Sequence, residues 1–195
     1  MTRITVYEPL EIISAFSILT PSIVSCIFML NPDVHLSTLL AGTGCIIHFP
    51  FSFSLHMHKA FSKNALIRTR IYKADVSFIH IHALITGYTW KMNYNYGELL
   101  YHSVCILYIV FSKPLYYPQT KSNIDILAAI GCAKSTFGLF FRSITLWTSA
   151  IILWIILFTV YKKKIAGLHS SWIMHVMLAG PQFCVLEGLQ NYKSY

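Results

Sequence analysis

Short basic clusters punctuate this chain. Between them run stretches almost free of charge and close to the roughly 20 residues that a helix needs to cross a bilayer. That alternation excludes most soluble folds, because a single chain of 195 residues, 55% of them apolar and 11% charged, cannot hide so much apolar surface from water. It predicts an all-α, seven-transmembrane helical bundle that forms one domain over residues 1–195. The expected spans are 10–30, 37–56, 74–90, 97–111, 124–141, 143–161 and 165–189. The N-terminal stretch MTRITVYEPLEII has one arginine followed by two glutamates, a poor basic leader, so the first span is expected to stay in place.

The basic residues orient the bundle. With a cytoplasmic N-terminus, the inside segments hold Arg3, then Lys59, Lys63, Arg68, Arg70 and Lys73, then Lys113 and Lys121, then Lys162, Lys163 and Lys164. These eleven face only Lys91, Arg142 and Lys193 outside, a strong positive-inside asymmetry. The formal charge of +8 is therefore read as orientation, with some attraction to anionic lipid heads, and not as a nucleic-acid surface. The five cysteines (Cys26, Cys45, Cys105, Cys132 and Cys184) all fall within apolar runs without a CxxC pair, as small buried residues do. Lys134 falls about ten residues into the fifth span, where it serves as a counter-ion or snorkels to the interface.

Several polar residues recur at helical spacing near the basic side. His48, Ser52 and His56 are four apart and share one face of the second span, with Pro50 between them to bend it. Asp75 opens the third span, where a helix N-cap role and a site role are both open to it. His82 follows on nearly the same face about two turns deeper, whereas His80 points elsewhere. In the last span, GLHSSWIMHVMLAGPQF, Ser171 and His175 are co-facial, and His169 lies about 120° away from His175. With the N-terminus inside, His56, Asp75 and His175 fall at one depth. Imidazoles with a carboxylate are the donor types of a catalytic zinc site, which takes three protein ligands and keeps a position for water. The bland alternative is a set of interfacial histidines bonded to backbone or lipid heads.

Ser52-Phe-Ser-Leu-His56, Asp75 at the head of DVSFIHIHALITGYTW, and His175 in WIMHVMLAG together resemble the progestin and adipoQ receptor/hemolysin III family, within the CREST superfamily of seven-span membrane proteins. That family's signature is a Ser-x3-His ending span two, an Asp opening span three and a His-x3-His early in span seven. The resemblance implies a zinc-dependent hydrolase of a lipid amide, ceramidase-like, at the cytoplasmic side. His56 and His175 would be metal ligands, with Asp75 and Ser52 positioning water or stabilising an oxyanion. The chain departs from the signature at Ser171, where the first histidine of the last motif is expected. His169 swinging in, direct ligation by Asp75, and loss of the metal with retention of the scaffold all remain open. The last leaves a non-catalytic membrane receptor or interaction protein whose partners are membrane lipids. A retinal protein is disfavoured because the last span has no lysine, and a transporter because no internal repeat is visible.

Overall fold

The computed structural model describes residues 8–90, 96–112 and 118–191. Among the described residues every regular element is a helix. Seven rods follow in chain order: α1 Pro9–Met29, α2 Leu36–Phe61, α3 Ala65–Thr89, α4 Tyr96–Phe111, α5 Pro118–Ser135, α6 Ile144–Lys163 and α7 Gly167–Gln190. One further turn, Phe137–Phe140, prolongs α5. By length and composition α1, α2, α6 and α7 can each cross a membrane, and α4 is a shorter apolar helix.

Proline and polar caps explain several boundaries. Pro21 has no N–H to give the Ser17 carbonyl, and α1 breaks at Ile18. Thr20 Oγ1 supplies the missing bond to Ser17 at 2.8 Å. Pro181 does the same to the Met177 carbonyl, and α7 breaks at Leu178, between Ser170–Met177 and Ala179–Gln190. Asn64 caps α3, its side chain accepting from the Leu66 and Ile67 amides at 3.1 Å each. This corrects the expected start of the third helix. The helix begins at Ala65, so Asp75 lies about three turns inside it and is not its cap. The fifth helix likewise starts at Pro118, ahead of the expected 124.

Contacts between helix ends place consecutive rods antiparallel. At one end the Glu8 amide meets the Ala60 carbonyl, and Lys73 Nζ donates to the Val110 and Ser112 carbonyls at 3.0 and 2.7 Å. There too Asp125 pairs with Lys121 and Lys162. At the other end His35 and Asp33 meet Gln190, and Arg142 donates to the Trp90 carbonyl. Trp90 closes this second end, donating from Nε1 to the Ser135 carbonyl at 2.6 Å and lying in a cluster with Leu139, Leu186 and Leu189. Gly138 packs on the Trp90 ring so closely that no side chain fits there. A second cluster, Leu55, Tyr72, Val76, Ile109, Ile124 and Ala128, fills the first end.

The basic residues divide in the same way. Lys59, Lys63, Arg68, Arg70, Lys73, Lys121 and Lys162 to Lys164 belong to the first end, and Arg142 to the second. Arg3, Lys91, Lys113 and Lys193 lie outside the described residues. Lys134 is exposed, its Nζ 4.7 Å from the centre of the Tyr101 ring. The outer surface is apolar: Ile27, Leu107 and Ile155 are each more than half exposed, and only Ala150 and Leu157 of α6 are buried. A soluble monomer does not leave whole helices of this kind in water.

Candidate functional site

A cavity of about 550 Å³ runs between the rods from the basic end inward. Residues of six rods line it, α1 contributing Ile18 and Pro21. From α2 come His48, Ser52, His56 and Lys59; from α3, Arg68, Asp75 and His82; from α5, Lys121 and Asp125; from α6, Trp154 and Tyr161; from α7, Ser171 and His175. The four-residue stripe of α2 faces one interior, as its spacing predicts, and Asp75 and His82 share their face of α3. His80 points away, onto α4.

The remote helix tips converge. His56 and His175 are 4% and 5% exposed, and their rings meet edge-on with centroids 4.8 Å apart. Residues 119 positions apart in the chain thus become neighbours. The first half of α1 packs against Ser170–Met177. Asp75 and Ser52 are also buried and line the same space. His169 does not: it sits exposed in the turn before Ser170, and the Trp172 indole donates to its Nδ1 at 3.0 Å.

Two carboxylates orient two imidazoles. His56 Nδ1 donates to Glu11 Oε2 at 2.5 Å, and His48 Nε2 donates to Asp75 Oδ1 at 2.8 Å. Each bond fixes a tautomer and leaves the other ring nitrogen with a lone pair, the state of a base or a metal donor. His175 Nδ1 and His82 Nε2 are buried without a hydrogen-bond partner. Glu11 was not singled out by the sequence, and His48 only as a member of the α2 stripe. Glu11 reads there only as a charge near a leader, yet a carboxylate one residue into an apolar span is itself a signal.

Catalytic zinc takes three protein ligands and keeps a position for water. Two adjacent imidazoles are in place, one held by a carboxylate in the manner of metal-ligating histidines. A third is not: the position one turn before His175 is Ser171, a weak donor, and Asp75 is committed to His48. Among the described residues no three His, Cys, Asp or Glu side chains are grouped to hold a metal ion. The residues therefore fall one ligand short of the three-protein-ligand arrangement.

At the basic end Asp125 joins three rods. Its carboxylate accepts from Lys121 at 2.9 Å, from Lys162 at 2.6 Å and from the Tyr72 hydroxyl. Burial works against the Lys121 charge, but Tyr161 and Asp125 outweigh it and hold the ammonium above its ordinary range. Burial and the Asp125 charge push the Tyr72 phenol up, so it stays a donor.

No family model matches the chain, no curated protein matches its sequence, and no solved structure matches its fold.

Proposed function

We propose that this chain is a multi-pass membrane protein with seven spans and a cytoplasmic N-terminus, built on a scaffold of the hemolysin III/adipoQ receptor type. In this reading it takes a membrane lipid into its cavity as a non-catalytic receptor or interaction protein. The observation that carries it is a cavity walled by apolar side chains such as Leu55, Val76, Ile79 and Leu157, open at the basic end, with a metal set one ligand short. Apolar walls with a few convergent polar groups are the usual form of a small-molecule site. The basic residues at one end and the apolar outer surface support the orientation.

Trp154 lines the cavity and provides the test. In detergent, a single-chain lipid brominated along its acyl chain is expected to quench the tryptophan fluorescence saturably, and Trp154→Phe to remove that component. Absence of saturable quenching would refute the reading. For orientation, single cysteines placed at Lys63 and Asp33 in a cysteine-free background should differ: an impermeant maleimide added outside labels the second and not the first.

A second reading is favoured by the Glu11-held His56 beside the unpartnered His175 Nδ1. Here the two histidines hold zinc, and Asp75 and Ser52 stand beside a lipid amide as the substrate. Zinc bound there would supply a Lewis acid and a water of lowered pKa. Stoichiometric zinc in the purified protein, lost in His56→Ala, would support it. Metal-free protein whose melting does not respond to zinc or chelator would remove it.

A further inference from the structure

The mouth of the cavity carries more positive charge than its neighbours neutralise. Of the residues that line the cavity, only Ala65 and Arg68 are exposed, so the opening lies at the basic end. Lys59 of α2, Arg68 of α3 and Lys121 of α5 all line it there. Lys59 Nζ is 3.9 Å from Glu11, which is already bonded to His56. Lys121 shares Asp125 with Lys162 and Tyr72. The Arg68 side chain makes no hydrogen bond or close ion pair among the described residues, and its charge acts on Glu11 from farther off. Of the charged residues lining the cavity, three are cations (Lys59, Arg68 and Lys121) and two are carboxylates (Asp75 and Asp125), with Lys162 and Glu11 paired to them from outside the lining. Asp75 lies deeper, on His48.

We propose that this mouth binds the phosphate monoester head of a single-chain lipid whose acyl chain occupies the cavity. The surplus of positive charge over Asp75, Asp125 and Glu11 favours an anionic head over a neutral one. Cationic donors of three rods line this opening, and the Arg68 guanidinium is a planar fork suited to pairing with two oxygens of a phosphate. An uncharged head would add no anion to a mouth where Lys59 and Lys121 share carboxylates that have other partners. The apolar walls beyond, Leu55, Val76, Ile79 and Leu157, exclude a free polar metabolite from the interior but accept a hydrocarbon chain. The cytoplasmic orientation proposed above sets the opening against the leaflet richest in anionic lipid. The inference rests on the lipid-binding reading and is independent of any metal, since no ligand in it touches His56 or His175.

Binding is measured on the full chain in detergent with chelator present, by quenching of Trp154. Three probes are compared: brominated lysophosphatidic acid, the monoacylglycerol with the same chain, and inorganic phosphate as a competitor. Lysophosphatidic acid is expected to bind about tenfold or more tightly than the monoacylglycerol, the size of one or two charge-assisted hydrogen bonds. Arg68→Gln should erase most of that ratio by weakening lysophosphatidic acid binding, with the melting temperature unchanged, because Arg68 is exposed and its side chain makes no hydrogen bond. Lys59→Gln provides the second variant. Equal affinity for the two lipids, or a ratio that survives both variants, overturns the phosphate assignment while leaving the lipid reading intact. Failure of both lipids to quench overturns both. Displacement of the lipid by inorganic phosphate at matched concentration would assign the mouth to a free anion and overturn the lipid head.

Discussion

The molecule contains two buried histidine pairs, and they are built differently. His80 and His102 are 0% and 1% exposed, with Nδ1 atoms 3.1 Å apart across α3 and α4, and both rings press on Gly131 of α5. No carboxylate bonds either ring, and neither lines the cavity. The assignment that leaves no buried N–H orphaned has His80 donating, since its Nε2 has no partner and then carries only a lone pair. His56 and His175 are as buried, but one ring is held by Glu11 and both border open space. The first pair is an interhelical staple, the second borders the candidate site. Burial alone does not distinguish them; the carboxylate and the empty volume do.

The largest expected effect tests the staple. His102→Ala removes a buried hydrogen bond, strands His80 and opens a void, for about 3 kcal/mol of stability by thermal melting in detergent. His175→Ala, at the edge of a cavity that water can fill, is expected to cost under about 1 kcal/mol. Equal losses would dissolve the distinction between the pairs.

Next comes Gly131→Ala. A Cβ there would sit 3.2 Å from both His102 Cε1 and His80 Nδ1, so the rings must yield. A loss of about 1–2 kcal/mol is expected, with lipid quenching of Trp154 retained. A change in quenching without a change in melting would show the staple to be coupled to the cavity.

A smaller effect belongs to the second carboxylate. Asp75→Asn and His48→Gln should couple by about 1 kcal/mol in a double-mutant cycle read by melting. Strict additivity would mean that the 2.8 Å bond does not hold the site together.

The smallest effect is in pH. The folded-state pKa of Lys121 is raised, so its contribution is fully present below the ordinary lysine value and is lost only as pH rises through the higher folded value. Melting curves of the native chain and Lys121→Gln should thus keep a constant offset from pH 6 to about 9 and converge only in strong alkali. Convergence below pH 8 would contradict the shift.

The cavity's α2 stripe was legible because helical period needs no tertiary information: His48, Ser52 and His56 share a face whatever they pack against. The separation of His80 from His82 was legible on the same ground. Asp75 was assigned to a helix start, because the apolar run begins there while the helix begins at Ala65, under the Asn64 cap that hydropathy overlooks; it lies inside the helix and bonds His48. Glu11 escaped because its partner is 45 residues away, and nothing local marks a carboxylate as aimed at an imidazole. His169 was a candidate by proximity in sequence, and its turn directs it outward.

By itself the sequence determined the helical class, the long apolar segments and the basic end, since these follow from residue chemistry summed along the chain. Only the tertiary structure decided which histidines meet: the breaks at Ile18 and Leu178, the Glu11–His56 bond and the seat on Gly131 depend on distances between rods. A one-dimensional pattern sets the face and depth of a side chain, but the neighbour it meets is chosen by how the helices pack.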